Sequence, residues 1–107
     1  MIVSSVERFE AILAGGGDSA SLRFALGTEY MKLAEPSVAI EHLRAAVVLD
    51  PEYSAAWKLL GKAETDTGLK EDAIVSYREG IRAATRRGDV QAAREMKVFL
   101  KRLEESG

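Results

Sequence analysis

The stretch 54–87, SAAWKLLGKAETDTGLKEDAIVSYREGIRAATRR, echoes the stretch before it, 20–53, ASLRFALGTEYMKLAEPSVAIEHLRAAVVLDPEY. Laid one over the other, Leu26-Gly27 falls on Leu60-Gly61, Ala39-Ile40 on Ala73-Ile74, and Arg44 on Arg78. Four of these five identities are the small or apolar types that helix packing needs, and the near-matches Leu43/Tyr77, Ala46/Gly80 and Val47/Ile81 fall in the same half of the unit. A period of 34 residues is the length of a helical hairpin that cannot bury its apolar face alone and must stack on a neighbour. The predicted fold is therefore all-α, a superhelix of about six helices in antiparallel pairs. The function to look for is a surface that holds a partner.

The flanking signals place the helices. Apolar residues at Val6, Phe9, Ile12 and Leu13 predict a first helix over 3–14, capped by Ser4 or Ser5 and stopped by Gly15-Gly16-Gly17. Asp18 or Ser19 caps a second, running to about Leu33 with Leu22, Leu26, Gly27 and Tyr30 on one stripe. Pro36 suits the first turn of a third helix, because its missing N–H would have been unpaired there. That helix turns Ala39, Ile40, Leu43, Ala46 and Val47 inward and runs to about Leu49. Asp50-Pro51-Glu52 reads as the start of a fourth helix that reaches Thr67 and buries Trp57 and Leu60. A fifth is predicted over 70–86 between Gly68 and Gly88, and a sixth over 90–105 after Asp89.

Composition narrows the function classes. With 47% hydrophobic and 30% charged residues among 107, the chain reads as one globular domain, not a disordered one. A formal charge of -2 provides no global attraction to nucleic acid or to anionic membranes, so neither is expected as a partner. Without cysteine there is no disulfide, thiolate nucleophile or thiolate metal site. The opening Met1-Ile2-Val3 and the residues after it lack a charged region followed by an apolar one, and the longest apolar run, 45–49, is far too short for a membrane span. A cytoplasmic location is expected, and a monomer in preference to a homo-oligomer.

These residues resemble the tetratricopeptide repeat family. Its pattern places Trp, Leu, Gly and Tyr on the first helix of each unit, then Ala, an aromatic or Leu, Ala, and Pro on and after the second. Trp57, Leu60, Gly61, Ala73 and Tyr77 match in one unit; Leu26, Gly27, Tyr30, Ala39, Leu43, Ala46 and Pro51 match in the other. The departures are Arg23 at the Trp position, Glu64 at the Tyr position and Thr85 at the Pro position. Arg23 is expected to lay its stem on the core with its head in water, and Glu64 to be partly exposed. The resemblance implies one domain over 1–107, with repeats at 20–53 and 54–87 and capping helices at 3–14 and 89–105. A strict 34-residue step would put Gln91, Arg94 and Glu95 of the last helix in the core; sliding by five puts Met96, Phe99, Leu100 and Leu103 there, which requires the fifth helix to outrun the third.

Catalytic chemistry finds little footing. His42 is the only histidine and reads as a surface residue; Ser37, His42 and Asp50 cannot converge from a single helix. Gly15-Gly16-Gly17-Asp18-Ser19 follows a helix, carries no Lys, and offers a carboxylate where a phosphate would sit. No enzyme activity, cofactor or metal is expected. In the family the first helices of successive units line a concave groove in which extended peptides commonly lie. Carried over by position, the groove residues would be Ser21, Phe24, Thr28 and Met31, then Ala55, Lys58, Lys62 and Thr65, followed by Arg94, Lys97 and Lys101. An apolar patch at Phe24 and Met31 beside a basic stripe would take an anionic protein segment. The family members that clamp acidic chaperone tails use two asparagines, and this chain contains none. The alternative function is structural, a self-associating repeat protein joined through an end helix.

Overall fold

The computed structural model describes residues 4–106; Met1–Val3, where the first helix was expected to begin, and Gly107 lie outside the described residues. Six helices follow one another: α1 Ser5–Ala14, α2 Ala20–Lys32, α3 Pro36–Leu49, α4 Ser54–Asp66, α5 Lys70–Arg87 and α6 Val90–Glu105. Consecutive helices pack antiparallel, as their short connections demand, into a stack measuring 47 × 28 × 20 Å. Within the stack α2 touches α4 and α4 touches α6, whereas the backbones of α3 and α5 stand apart, bridged by the Arg44–Asp72 ion pair. The row α2–α4–α6 therefore lies on the inner side of the curve, and α3 and α5 splay on the outer side.

The helix ends obey local chemistry. Ser4, Ser19 and Asp89 each accept a backbone N–H of the turn they open, satisfying donors that an α-helix leaves orphaned. Pro36 occupies the start of α3 as expected. The start of α4 differs. Pro51 and Glu52 form a turn, in which the Asp50 carboxylate accepts from Glu52 N at 3.0 Å, and the helix begins only at Ser54. Three arginines from α5 occupy that turn: Arg82 donates to the carbonyl of Pro51 and to the Glu52 carboxylate, Arg86 pairs with the same carboxylate, and Arg87 donates to the Glu52 carbonyl. Arg86 and Arg87 reach Glu52 because α5 is long. At the position where Pro51 follows α3, the chain has Thr85, which continues the helix; α5 has 18 residues and α3 has 14.

The core is built from small residues and a few large ones. Leu26, Leu43, Leu60 and Met96 are the largest fully buried side chains, and Ala39, Ala46, Ala56, Ala63, Ala73, Ala83 and Ala84 are wholly covered between them. Close approach explains Gly27 and Gly61. A Cβ at Gly27 would stand 2.5 Å from the Leu43 side chain, and one at Gly61 would stand 2.7 Å from the Tyr77 ring. The slid register of α6 is the one observed: Met96 is fully buried, with Phe99, Leu100 and Leu103 packed beside it. Trp57 is a departure from expectation. It is only half-buried and donates its indole N–H to the Pro51 carbonyl at 2.8 Å, bracing the same turn the arginines hold.

Candidate functional site

Three helices offer their inner faces side by side. On α2 the half-buried Phe24 lies against Tyr53, ring centroids 5.0 Å apart, and Thr28 and Met31 follow toward the helix end. Between α2 and α4 a valley of about 540 Å³ is walled by Thr28, Met31, Pro36, Lys62 and Asp66. Between α4 and α6 a second, of about 360 Å³, is walled by Lys58, Leu59, Lys62, Tyr77, Glu95 and Phe99. Lys62 and Asp66 border both valleys, on the ridge of α4 that separates them.

Of the residues expected in the groove, the structure brings Thr28, Met31, Lys58, Lys62 and Thr65 around these valleys. Phe24 joins the apolar side contacts of α2 with Tyr53. Arg94, Lys97 and Lys101 are exposed on α6, border neither valley, and make no ion pair among the described residues. The lysines of α4 are not free charges. Lys58 is paired with Glu95 across the second valley, which holds the Glu95 carboxyl below its ordinary range, and Lys62 is paired with Asp66 one turn on at 3.5 Å. The Lys62–Asp66 spacing of four residues was legible on a helix; the Lys58–Glu95 pairing was not, since it joins two helices 37 positions apart. Leu59 and Phe99 were also missed as lining residues. Their signal is an apolar or aromatic type at a position that faces a neighbouring first helix and not the hairpin partner, a distinction that needs the packed structure.

Two polar residues depart from their expected exposure. His42 is buried, at 8% exposure, and stacks flat on Tyr30 with centroids 5.5 Å apart. Arg23 approaches its Nδ1 at 3.1 Å, and since a guanidinium can only donate, Nδ1 is the acceptor. Nε2 then carries the hydrogen and faces Glu10 of α1 at 3.3 Å, and Glu10 also accepts from the Tyr30 hydroxyl at 3.1 Å. Arg23 does not leave its head in water; it forks onto Asp18 at 2.8 and 3.1 Å, which lowers the Asp18 pKa. Through Glu10 this network ties α1, in which no residue is fully buried, to α2 and α3. Glu64, expected to be partly exposed, is 2% exposed. Its two oxygens accept from Ser76 at 2.6 Å and Arg44 at 3.2 Å, and burial raises its pKa above the ordinary value.

A model of the tetratricopeptide repeat matches residues 24–85, more than half the chain. The chain belongs to the tetratricopeptide repeat family. A tetratricopeptide repeat-containing protein of Pseudomonas aeruginosa is 44% identical over 99 residues, covering 92% of this chain and 94% of that one. A solution structure of a Bordetella parapertussis protein is similar with a TM-score of 0.80 and 44% identity, over 96% of this chain and 90% of that one. The crystal structure of a tetratricopeptide repeat domain protein from Salinibacter ruber aligns at a TM-score of 0.77 with 27% identity, over 84% of this chain and 100% of its own. Tetratricopeptide repeats generally serve as non-catalytic protein–protein interaction modules. Among the described residues no cluster of three or more His, Asp or Glu could hold a metal ion, and no helix is long and apolar enough to cross a membrane.

Proposed function

We propose that this tetratricopeptide protein binds a segment of another protein along the inner face of α2, α4 and α6, without catalysing a reaction. One observation carries the reading. Met31, Leu59 and Phe99 remain half-buried on three adjacent helices and line the two valleys. The charges bear on which partner is chosen. Lys58 and Lys62 already have carboxylate partners, so an anionic segment would find its free cations on α6, at Arg94, Lys97 and Lys101. Acidic residues of the partner would reach α6 beyond the valleys, and apolar ones would sit nearer α2. The partner is a protein or peptide rather than nucleic acid or membrane, bound by a monomer in the cytoplasm.

Affinity capture from the native cell, followed by chemical-shift mapping with the recovered peptide, tests the groove. Shifts on α2, α4 and α6 are expected; shifts confined to α3 and α5 overturn the reading. Arg94→Glu with Lys97→Glu and Lys101→Glu is expected to weaken binding and to abolish its salt dependence, and unchanged binding removes the anionic part. The structural alternative draws on exposed apolar residues of the end helices, Ile12 at 47%, Val90 at 59% and Val98 at 48%. Sedimentation across a concentration series separates the two, since a persistent monomer excludes self-association.

A further inference from the structure

The outer side of the stack carries a crevice of its own. Between α3 and α5, with α4 beneath, lies a volume of about 470 Å³, intermediate between the two inner valleys. Val47 and Val48 of α3, Val75 of α5 and Trp57 of α4 form its apolar wall. Val48 is 78% exposed and Val75 56%, so aliphatic side chains of two helices stand open to water on one crevice. Trp57 is fixed beside them, because its indole N–H is engaged by the Pro51 carbonyl.

The rest of the wall is polar, and its charges do not cancel. Arg44 of α3 reaches Glu64 at 3.2 Å and Asp72 at 3.3 Å, and Ser76 donates to the other Glu64 oxygen at 2.6 Å. One guanidinium thus faces two carboxylates, and the lining residues carry one net negative charge. Asp72 is about half exposed, and only one of its oxygens engages a donor among the described residues, so it can accept another. Glu64 is buried, and desolvation raises its pKa, a sign that Arg44 and Ser76 offset its charge incompletely. Glu64 also stands where the family pattern has Tyr, so this negative charge belongs to the chain and not to the repeat.

Such a wall attracts a cation. The carboxylates supply the opposite charge, and an indole attracts cations more strongly than the other aromatic rings. A metal ion or a small ammonium would leave the valines uncovered, whereas lysine and arginine carry an apolar stem behind the charged head. We propose that this crevice is a second docking site, separate from the inner groove, that takes a lysine or arginine of a partner protein, its stem along Val47, Val75 and Trp57, its head at Asp72, and an apolar neighbour of that residue on Val48.

Selection of short random peptides displayed on phage tests this, with the library first pre-cleared on Asp72→Lys. That variant, checked for intact folding by circular dichroism, keeps the inner face and removes peptides that bind there, so the outcome is independent of the groove reading. Enrichment of a basic residue beside an apolar one is expected, and the selected peptides should shift Val48, Val75 and the Trp57 indole N–H in NMR spectra. Asp72→Asn should lower their affinity by about fivefold, less as salt is raised, and Val75→Ser by about as much at any salt. Asp72→Lys should instead prefer the same peptide with glutamate in place of its basic residue. Peptides without the basic residue, shifts confined to α2 and α6, or a selection that enriches nothing overturn the proposal and leave the groove in place. Concentration-dependent shifts at Val48 and Val75 in the chain alone would seat a second copy there, and overturn it equally.

Discussion

The hairpins α2–α3 and α4–α5 put different chemistry into one location. Tyr30 and Glu64 stand 34 residues apart, as do His42 and Ser76. In the first hairpin the pair is an aromatic stack, Tyr30 flat on His42; in the second it is a hydrogen bond of 2.6 Å from the Ser76 hydroxyl to the Glu64 carboxylate. Both locations are enclosed, so each polar member needs a partner, and the pair differs as a unit. The backbone around them is held constant by Gly27 and Gly61, which set helix spacing in the same way against Leu43 and Tyr77. Arg44 and Arg78, the one polar identity, both reach past their own hairpin: Arg44 to Glu64 and Asp72, Arg78 to Glu104 of α6. Helix spacing is therefore common to the two units, while the polar contact inside it is interchangeable provided both halves change together.

The strongest way to break the comparison is to alter the spacing itself. Gly61→Leu and Gly27→Leu are each expected to cost roughly 1–3 kcal/mol through overpacking, since in both a Cβ would meet a buried side chain, 2.7 Å from the Tyr77 ring and 2.5 Å from Leu43. Urea denaturation of both variants checks this, and an unchanged midpoint in either would show that the glycine does not set the spacing there. Next is the polar pair. Ser76→Ala leaves a buried Glu64 oxygen without its donor and should cost about 1–3 kcal/mol by the same measurement.

The pH dependence of the second hairpin has a definite sign. Burial raises the Glu64 pKa above its ordinary 4.5, so the folded state binds that proton more tightly than the unfolded chain. The stability this group contributes is complete below 4.5 and is lost as pH rises through the raised value. Relative to Glu64→Gln, the wild type should therefore lose stability as pH is raised from about 4.5, measured as urea midpoints at a series of pH values; a difference that grows in the opposite direction would refute the burial argument. The smallest effect sharpens the comparison at the turns. Ala34 adopts φ 57° where its counterpart Gly68 adopts φ 77°, a left-handed conformation that costs a residue with a Cβ about 1–2 kcal/mol. Part of that gain is offset by the greater freedom of glycine in the unfolded chain, so Ala34→Gly should raise stability by about 0.5–1 kcal/mol in thermal melts, and Gly68→Ala should lower it.

Much of the fold was readable because its signals are local. Ser19 and Asp89 cap the next turn, Gly68 and Gly88 end helices, and Leu26, Gly27, Ala39 and Leu43 fall on a periodic stripe; each needs only the few residues around it. Asp50-Pro51-Glu52 misled because the same residues open a turn as readily as a helix, and the choice was made by arginines from α5 some 30 positions away. His42 and Glu64 misled for a related reason: a polar residue beside a core position is enclosed only if another helix supplies its partners.

The candidate site divides in the same way. That α2, α4 and α6 would carry the inner face, with Thr28, Met31, Lys58 and Lys62 near its valleys, is what the resemblance to the family implied for these positions. The sequence alone thus determined the helices, their pairing and the small residues that space them, all properties of neighbouring positions along the chain. Only the tertiary structure decided that Lys58 is neutralised by Glu95, that Phe99 lines a valley, and that Lys62 and Asp66 stand between two of them. Ion pairing, enclosure and the lining of the valleys depend on residues brought together from distant helices, and no local pattern records which ones those will be.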